Sequence, residues 1–401
     1  MSACYDVVGI PKTETAEMTG KTSNKKKRKH EWDTKRVFFA TPQVVQSDIK
    51  EGIFPSSTIK LLIFDEAHKA KGEYAYCKVI QAIYRVNPKF RVCALTATAG
   101  KTADVVQIIQ NLLISKIEHR SESSIDVHRY THKKAIDIVP VKLSDELQEI
   151  NEHFIKAVDP IIKELRKLGM IQTNQISKGY LIVQRKKLSD NGSIPNNQKS
   201  TIFGHFSTAI GFFHSLEILQ RHSVHLFLKS LKDDENKANY KFFIARDFQL
   251  KKYAQELEEK YEAVSPFKVN INPMPNGKIP NPDHPIDFGH DKFDILKTKL
   301  KEYFDNDGKK AIIFCEYRDT THLIYTMLLQ LRPQVMSSIL IGQGGKLSQK
   351  DQMQIMKNFR EGKTNTLVCT CVAEEGLDIG DVDLVICFDI NSKVCVILYY
   401  L

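Results

Sequence analysis

The sequence predicts an α/β protein: two parallel-sheet domains with an all-helical insertion between them. Two stretches alternate short continuous apolar runs with helical patterns, the signature of strands buried on both faces by helices. The stretch between them shows only helical spacing of apolar residues. These textures divide the chain into blocks 1–142, 143–288 and 289–401.

In the first block, Val37–Ala40, Leu61–Phe64 and Arg91–Leu95 read as strands, and Ala75–Val86 as a helix between the last two. The second block opens on helical spacing over Leu143–Leu168, with Ser144 as N-cap and Leu147 on the apolar side. Phe203–Leu231 is a second long helical region rich in Phe, Leu and His. Ser189–Lys199 reads as a loop between them, and the Pro-rich Pro266–Pro285 as a linker. The third block returns to alternation: strands at Ala311–Cys315, Ser337–Ile341, Thr366–Thr370 and Leu384–Phe388, and helices at His322–Leu331 and Gln349–Arg360.

The chain has 401 residues, 42% of them hydrophobic, so a core is affordable. Its net charge is +10, which suits a polyanion such as nucleic acid, because Lys and Arg displace counterions from phosphates. Eight cysteines are scattered without a CxxC pair, which argues against structural zinc and for a reducing compartment. The N-terminus lacks the apolar core of a signal peptide. The longest apolar stretch, Val394–Leu401, is far short of the ~20 residues that span a bilayer, so no membrane partner is expected.

The strongest chemical signal is Asp65-Glu66-Ala67-His68, directly after the apolar run Leu61–Phe64. Paired acids at the carboxyl end of a buried strand stand where open α/β sheets bind ligands. In a nucleotide motor, Asp65 would hold Mg²⁺ on the phosphates and Glu66 would orient or deprotonate the attacking water. At the end of the next strand stand Thr96-Ala97-Thr98, which resemble the Ser/Thr-Ala-Thr element of superfamily 2 motors; that resemblance implies hydroxyls that bond the acidic motif and, with His68, couple hydrolysis to domain movement. Thr41-Pro42-Gln43 follows a strand and resembles the element with which superfamily 2 motors touch a nucleic-acid strand. In the third block, Thr370 through Ile379 and the segment Ile313–Arg318 add two further strand-end motifs.

These motifs resemble those of the Fanconi anaemia group M and archaeal Hef family of superfamily 2 DEAH-type DNA helicases. Asp65–Ala70 with Tyr74–Cys77 is similar to that family's motif II region. Val7–Pro11, Ala16–Gly20 and Asn111–Ile114 are similar to it too, and Glu374–Gly380 through Phe388-Asp389 resembles its motif V. The resemblance implies two RecA-like domains around a helical insertion that grips duplex DNA. It also implies ATP and Mg²⁺ as cofactors, and action on branched DNA in repair in the nucleus, with DNA-repair proteins as possible partners. Carried onto this chain, Thr41, Pro42, Gln43, Thr370 and Gly376 would meet the DNA backbone, and Asp378 the nucleotide ribose.

Two expected motifs are missing. A P-loop needs GxxxxGK followed by Ser or Thr. The triplets Gly20-Lys21-Thr22 and Gly100-Lys101-Thr102 have Thr15 and Leu95 where its first glycine belongs. The Arg-rich motif VI is also absent, since no Arg follows Arg360. The resemblance therefore implies an incomplete motor whose P-loop strand and helix would lie before Met1. The first sheet would then expose an edge and apolar surface. A motor-dead DNA-binding or scaffold derivative and an RNA-directed superfamily 2 helicase remain as alternatives. The basic run Lys25–Lys29 reads as a loop that is solvated, contacts DNA or directs nuclear import.

Overall fold

The structure, a computed structural model, describes residues 5–20, 24–98, 100–121, 123–128, 135–190, 196–232, 247–268, 286–341, 349–370, 379–389 and 395–400. Contacts divide the chain into two compact units, Met1–Arg129 and Tyr130–Leu401.

The first unit holds two parallel strand pairs. β1 (Thr15–Met18) pairs with β2 (Val37–Ala40), and β3 (Leu61–Phe64) pairs with β4 (Arg91–Ala94), Leu61 opposite Arg91 and Phe64 opposite Ala94. Between β1 and β2 the chain forms helix α1 (Lys25–Thr34), and after β2 helix α2 (Pro42–Lys50). Helix α3 (Ala75–Val86) serves both pairs: Val79 and Ile83 join Met18, Trp32 and Val44, while Cys77 and Ile80 join Phe64, Ile108 and Leu112. Ile108 belongs to α4 (Thr102–Asn111).

The basic run is a helix, not a loop. Asn24 caps it by accepting from the Lys27 amide at 2.9 Å. Inside, Arg28 grips the fully buried Asp48 of α2 through Nε and Nη2 at 2.8–3.0 Å, and Trp32 Nε1 donates to the same carboxylate at 2.9 Å. The expected two-sided burial of β3 fails on one face. Phe64 is buried, but Leu61 and Ile63, alternating with it, are 50% and 61% exposed.

The second unit is built on one six-stranded sheet, ordered β5-β10-β9-β6-β8-β7: β5 (Ala135–Pro140), β6 (Ala311–Cys315), β7 (Ser337–Leu340), β8 (Thr366–Thr370), β9 (Leu384–Cys387) and β10 (Cys395–Tyr400). β9, β6, β8 and β7 are parallel, and β10 runs antiparallel between β9 and β5. The block boundary at 142 places Ala135–Pro140 in the first α/β block, yet these residues complete the second sheet. The apolar tail supplies their partner strand. Along β6, Ala311, Ile313 and Cys315 face one core and Ile312 the other, as a strand covered on both faces requires.

Helices α5 (Asp145–Lys167), α6 (Lys178–Asp190), α7 (Asn196–Arg221), α8 (Val224–Lys232) and α9 (Phe248–Ala263) form the helical region. Ser144 caps α5, accepting from Leu147 at 3.4 Å, and the apolar face runs from Leu147 through Ile150, Phe154, Val158 and Ile162. That face, α7 and the inner side of the sheet share one core. The stretch Phe203–Leu231 is two helices, broken at His222-Ser223, where Ser223 Oγ accepts from the His225 amide at 3.1 Å. The loop expected over Ser189–Lys199 is narrower, because α6 runs to Asp190 and α7 begins at Asn196. Residues 269–285 of the Pro-rich stretch lie outside the described residues. The sheet is flanked by α10 (Lys292–Asp305), α11 (Arg318–Leu329) and α12 (Gln349–Arg360).

Candidate functional site

The carboxyl end of β3 leads straight into Asp65 and Glu66. Asp65 is exposed, and its Oδ1 accepts from the Glu66 amide at 2.9 Å. Glu66 sits in the left-handed region at φ 49°, where a non-glycine residue is uncommon, and opens a 3-10 turn over Ala67–Lys69. The turn is pinned to the neighbouring strand end: the Ala67 amide donates to the Leu95 carbonyl at 2.9 Å. His68 Nδ1 lies 3.1 Å from Thr96 Oγ1 and 3.3 Å from Glu66 Oε2. The Thr96 hydroxyl donates to the Thr98 carbonyl at 3.0 Å and accepts from the Thr98 amide at 3.3 Å. Asp65, Glu66, His68, Thr96 and Thr98 thus gather at two adjacent strand ends.

Tyr76, which the sequence offers only within the motif II resemblance of Tyr74–Cys77, closes this edge. Its hydroxyl donates to the Asp65 carbonyl at 2.7 Å, and its ring packs edge-on to Phe64. Burial, with Tyr74 and Asp65 nearby, holds the phenol above its ordinary pKa, so it stays a donor. Lys71 pairs with Asp104 of α4 at 3.3 Å. The Gly100-Lys101-Thr102 triplet leads from β4 into α4, with Gly100 at φ +83°, Lys101 as the N-cap and Thr102 as the first helical residue.

Chemically, the edge offers two hard oxygen donors open to solvent. That set fits Mg²⁺, which is commonly held by one or two carboxylates with ligand phosphates completing its shell. Among the described residues no three His, Cys, Asp or Glu side chains gather as a self-sufficient metal site.

Thr41 is the exposed N-cap of α2, its amide donating to the Met18 carbonyl at 3.1 Å; Pro42 is the first helical residue, and Gln43 is exposed. In the second unit, Thr370 ends β8 opposite Cys315 and is 4% exposed. Gly376 and Asp378 lie outside the described residues. The segment Glu316–Arg318 leaves β6 at the same edge as Thr370.

Strand-end acids, a Thr-Ala-Thr turn bonded through Thr96 to the neighbouring His68 and a second parallel-sheet unit define the DEAD/DEAH box helicase class. Residues 6–106 match the DEAD/DEAH box helicase family, and residues 291–398 the helicase conserved C-terminal domain. The chain belongs to the Fanconi anaemia group M and Hef family of these helicases. It is 36% identical to the Drosophila melanogaster DEAD-box ATP-dependent DNA helicase Fancm over 97% of this chain and 27% of that protein. The mouse Fanconi anemia group M protein homolog is 35% identical over 98% and 20%. The Schizosaccharomyces pombe ATP-dependent DNA helicase fml1 is 34% identical over 98% and 47%. The chain therefore spans less than half the length of these relatives. The crystal structure of the Pyrococcus furiosus Hef helicase domain superposes with a TM-score of 0.61 at 25% identity, over 94% of this chain and 75% of that one.

Proposed function

We propose that this chain is part of an ATP-dependent DNA helicase or translocase acting on branched DNA, such as forks and junctions, in nuclear DNA repair. The observation that carries this reading is the bonded set Asp65, Glu66, His68 and Thr96 at adjacent strand ends. ATP would supply the phosphoanhydride bond to be split by water, and Mg²⁺ would offset the charge of its phosphates. Asp65 would hold the cation, and Glu66, open to solvent, would accept the proton of the attacking water. His68 would carry a change at Glu66 to the Thr96-Ala97-Thr98 turn. Thr41, Pro42, Gln43, Thr370 and Gly376 would line the DNA backbone, and Asp378 would face the ribose. Relatives named as DNA helicases and the net charge of +10 support DNA as the partner. The absence of a GxxxxGK[ST] pattern from this sequence favours a second reading for the polypeptide by itself, a DNA binder without turnover.

ATP hydrolysis by the purified chain, with and without forked DNA, tests the proposal beside Glu66→Gln. The proposal expects hydrolysis that rises with DNA and falls at least about a hundredfold in the variant. Turnover indifferent to Glu66→Gln would contradict it, and fork binding without turnover would favour the second reading.

A further inference from the structure

The corner between α7 and α8 brings Arg221 and His222 to the strand-end edge of the second sheet. Arg221 Nη2 donates to Glu316 Oε2 at 2.8 Å and to the Asp389 carbonyl, and Nη1 donates to Glu217 Oε1 at 3.1 Å. The Glu316 amide donates to both carboxylate oxygens of Asp389 at 2.9 Å. His222, 1% exposed, has Nδ1 3.3 Å from Asp389 Oδ2 and 3.0 Å from Thr320 Oγ1, with its ring edge-on to Tyr317. From a third side, the fully buried Lys292 donates to the Arg221 carbonyl at 2.9 Å and lies 4.3 Å over the Phe388 ring.

We propose that Arg221 is a positioning residue: with Glu316 and Asp389 it clamps the Glu316-Tyr317 turn to the helical region. DNA touched by the strand ends and by the helices would then meet one preset surface. This rests on the DNA-motor reading above. The register supports the placement. β6 lies between β8 and β9, so Glu316 leaves the sheet beside Thr370 on one flank and Asp389 on the other.

Stability alone does not explain the cluster. Buried ionic groups are no better for a fold than well-packed apolar ones. Two of its nitrogens, Arg221 Nε and His222 Nε2, are buried with no hydrogen-bond partner among the described residues. Burial also pushes the Asp389 carboxyl up to about 6, so keeping it ionised at neutral pH costs the fold free energy. A cluster held at such a cost is better suited to fixing geometry than to adding stability.

Amide hydrogen exchange on the full chain tests this with Arg221→Met, Glu316→Ala and the two combined. The Glu316 and Thr321 amides should exchange about tenfold faster in each single variant, with β6 and β8 unchanged. The double variant should add little, because both substitutions break one unit. Affinity for forked DNA should fall about tenfold in Arg221→Met, with partial recovery in Arg221→Lys. Unchanged exchange at Glu316, loosening spread through β6 and β8, or a loosened turn with unchanged affinity would each overturn the proposal. Absence of fork binding by the unsubstituted chain would instead remove the DNA-motor reading, and with it the purpose of the clamp.

Discussion

At the scale of single residues, the second unit holds buried groups whose charged forms the fold disfavours. Burial, helped by Lys292 and Arg221, lowers His222 to about 2, and burial lowers His290 to about 4. Below pH 6.5 the unfolded chain binds protons at these imidazoles and the folded chain does not, so stability falls as pH drops. Asp389 acts in the opposite direction. Its carboxyl, raised to about 6, takes up a proton in the folded state before the unfolded one does, and adds stability between pH 6 and 3.8. Two depressed histidines outweigh one raised carboxyl. Between pH 7 and 5 the chain should lose about 2 kcal/mol, read from urea midpoints, at about 1.4 kcal/mol per pH unit for each fully uncoupled proton. A midpoint that holds or rises toward pH 5 would contradict this balance. None of this was legible in the sequence. His222 reads there as one histidine in an apolar helix, and its burial depends on Thr320 and Asp389, far along the chain.

At the scale of elements, α1 depends on one carboxylate. Asp48 is fully buried and bonded to both Arg28 and Trp32. Asp48→Ala should cost about 3 kcal/mol, because it strands a buried cation and an indole N–H. The chain has a single Trp, so a lower unfolding midpoint and a red-shifted Trp32 emission would report it directly. An unchanged midpoint would mean that α1 is held by its apolar contacts with Phe38 and Phe54 alone. Strands were the legible elements, because runs such as Leu61–Phe64 and Ala311–Cys315 are apolar and bounded by polar residues. The structure has strands at both. Helix α1 was not legible: five consecutive cations repel one another locally, and the acid that orders them lies on α2. The α7–α8 break was masked for a related reason, since apolar periodicity continues across His222-Ser223 while a serine cap interrupts the backbone. β5 and β10 hid each other, each being a strand only because the other pairs with it.

At the scale of the whole molecule, the two α/β blocks and the helices between them follow from texture alone. The acidic motif and its threonine turn follow from their places after apolar strands. What texture could not show is how the helical region is tied to the second sheet. That tie is a shared core and a polar cluster drawn from Arg221, Lys292, Glu316 and Asp389, which are distant in sequence. We propose above that this chain belongs to a motor for branched DNA. The most direct measurement is the affinity of the 401-residue chain for a forked DNA, an unbranched duplex DNA and a duplex RNA of equal length, at one salt concentration. The fork should bind tightest, by about tenfold over either duplex, with affinity falling as salt rises. Equal binding to all three would reduce the interaction to charge alone, and preference for the RNA would contradict the claim.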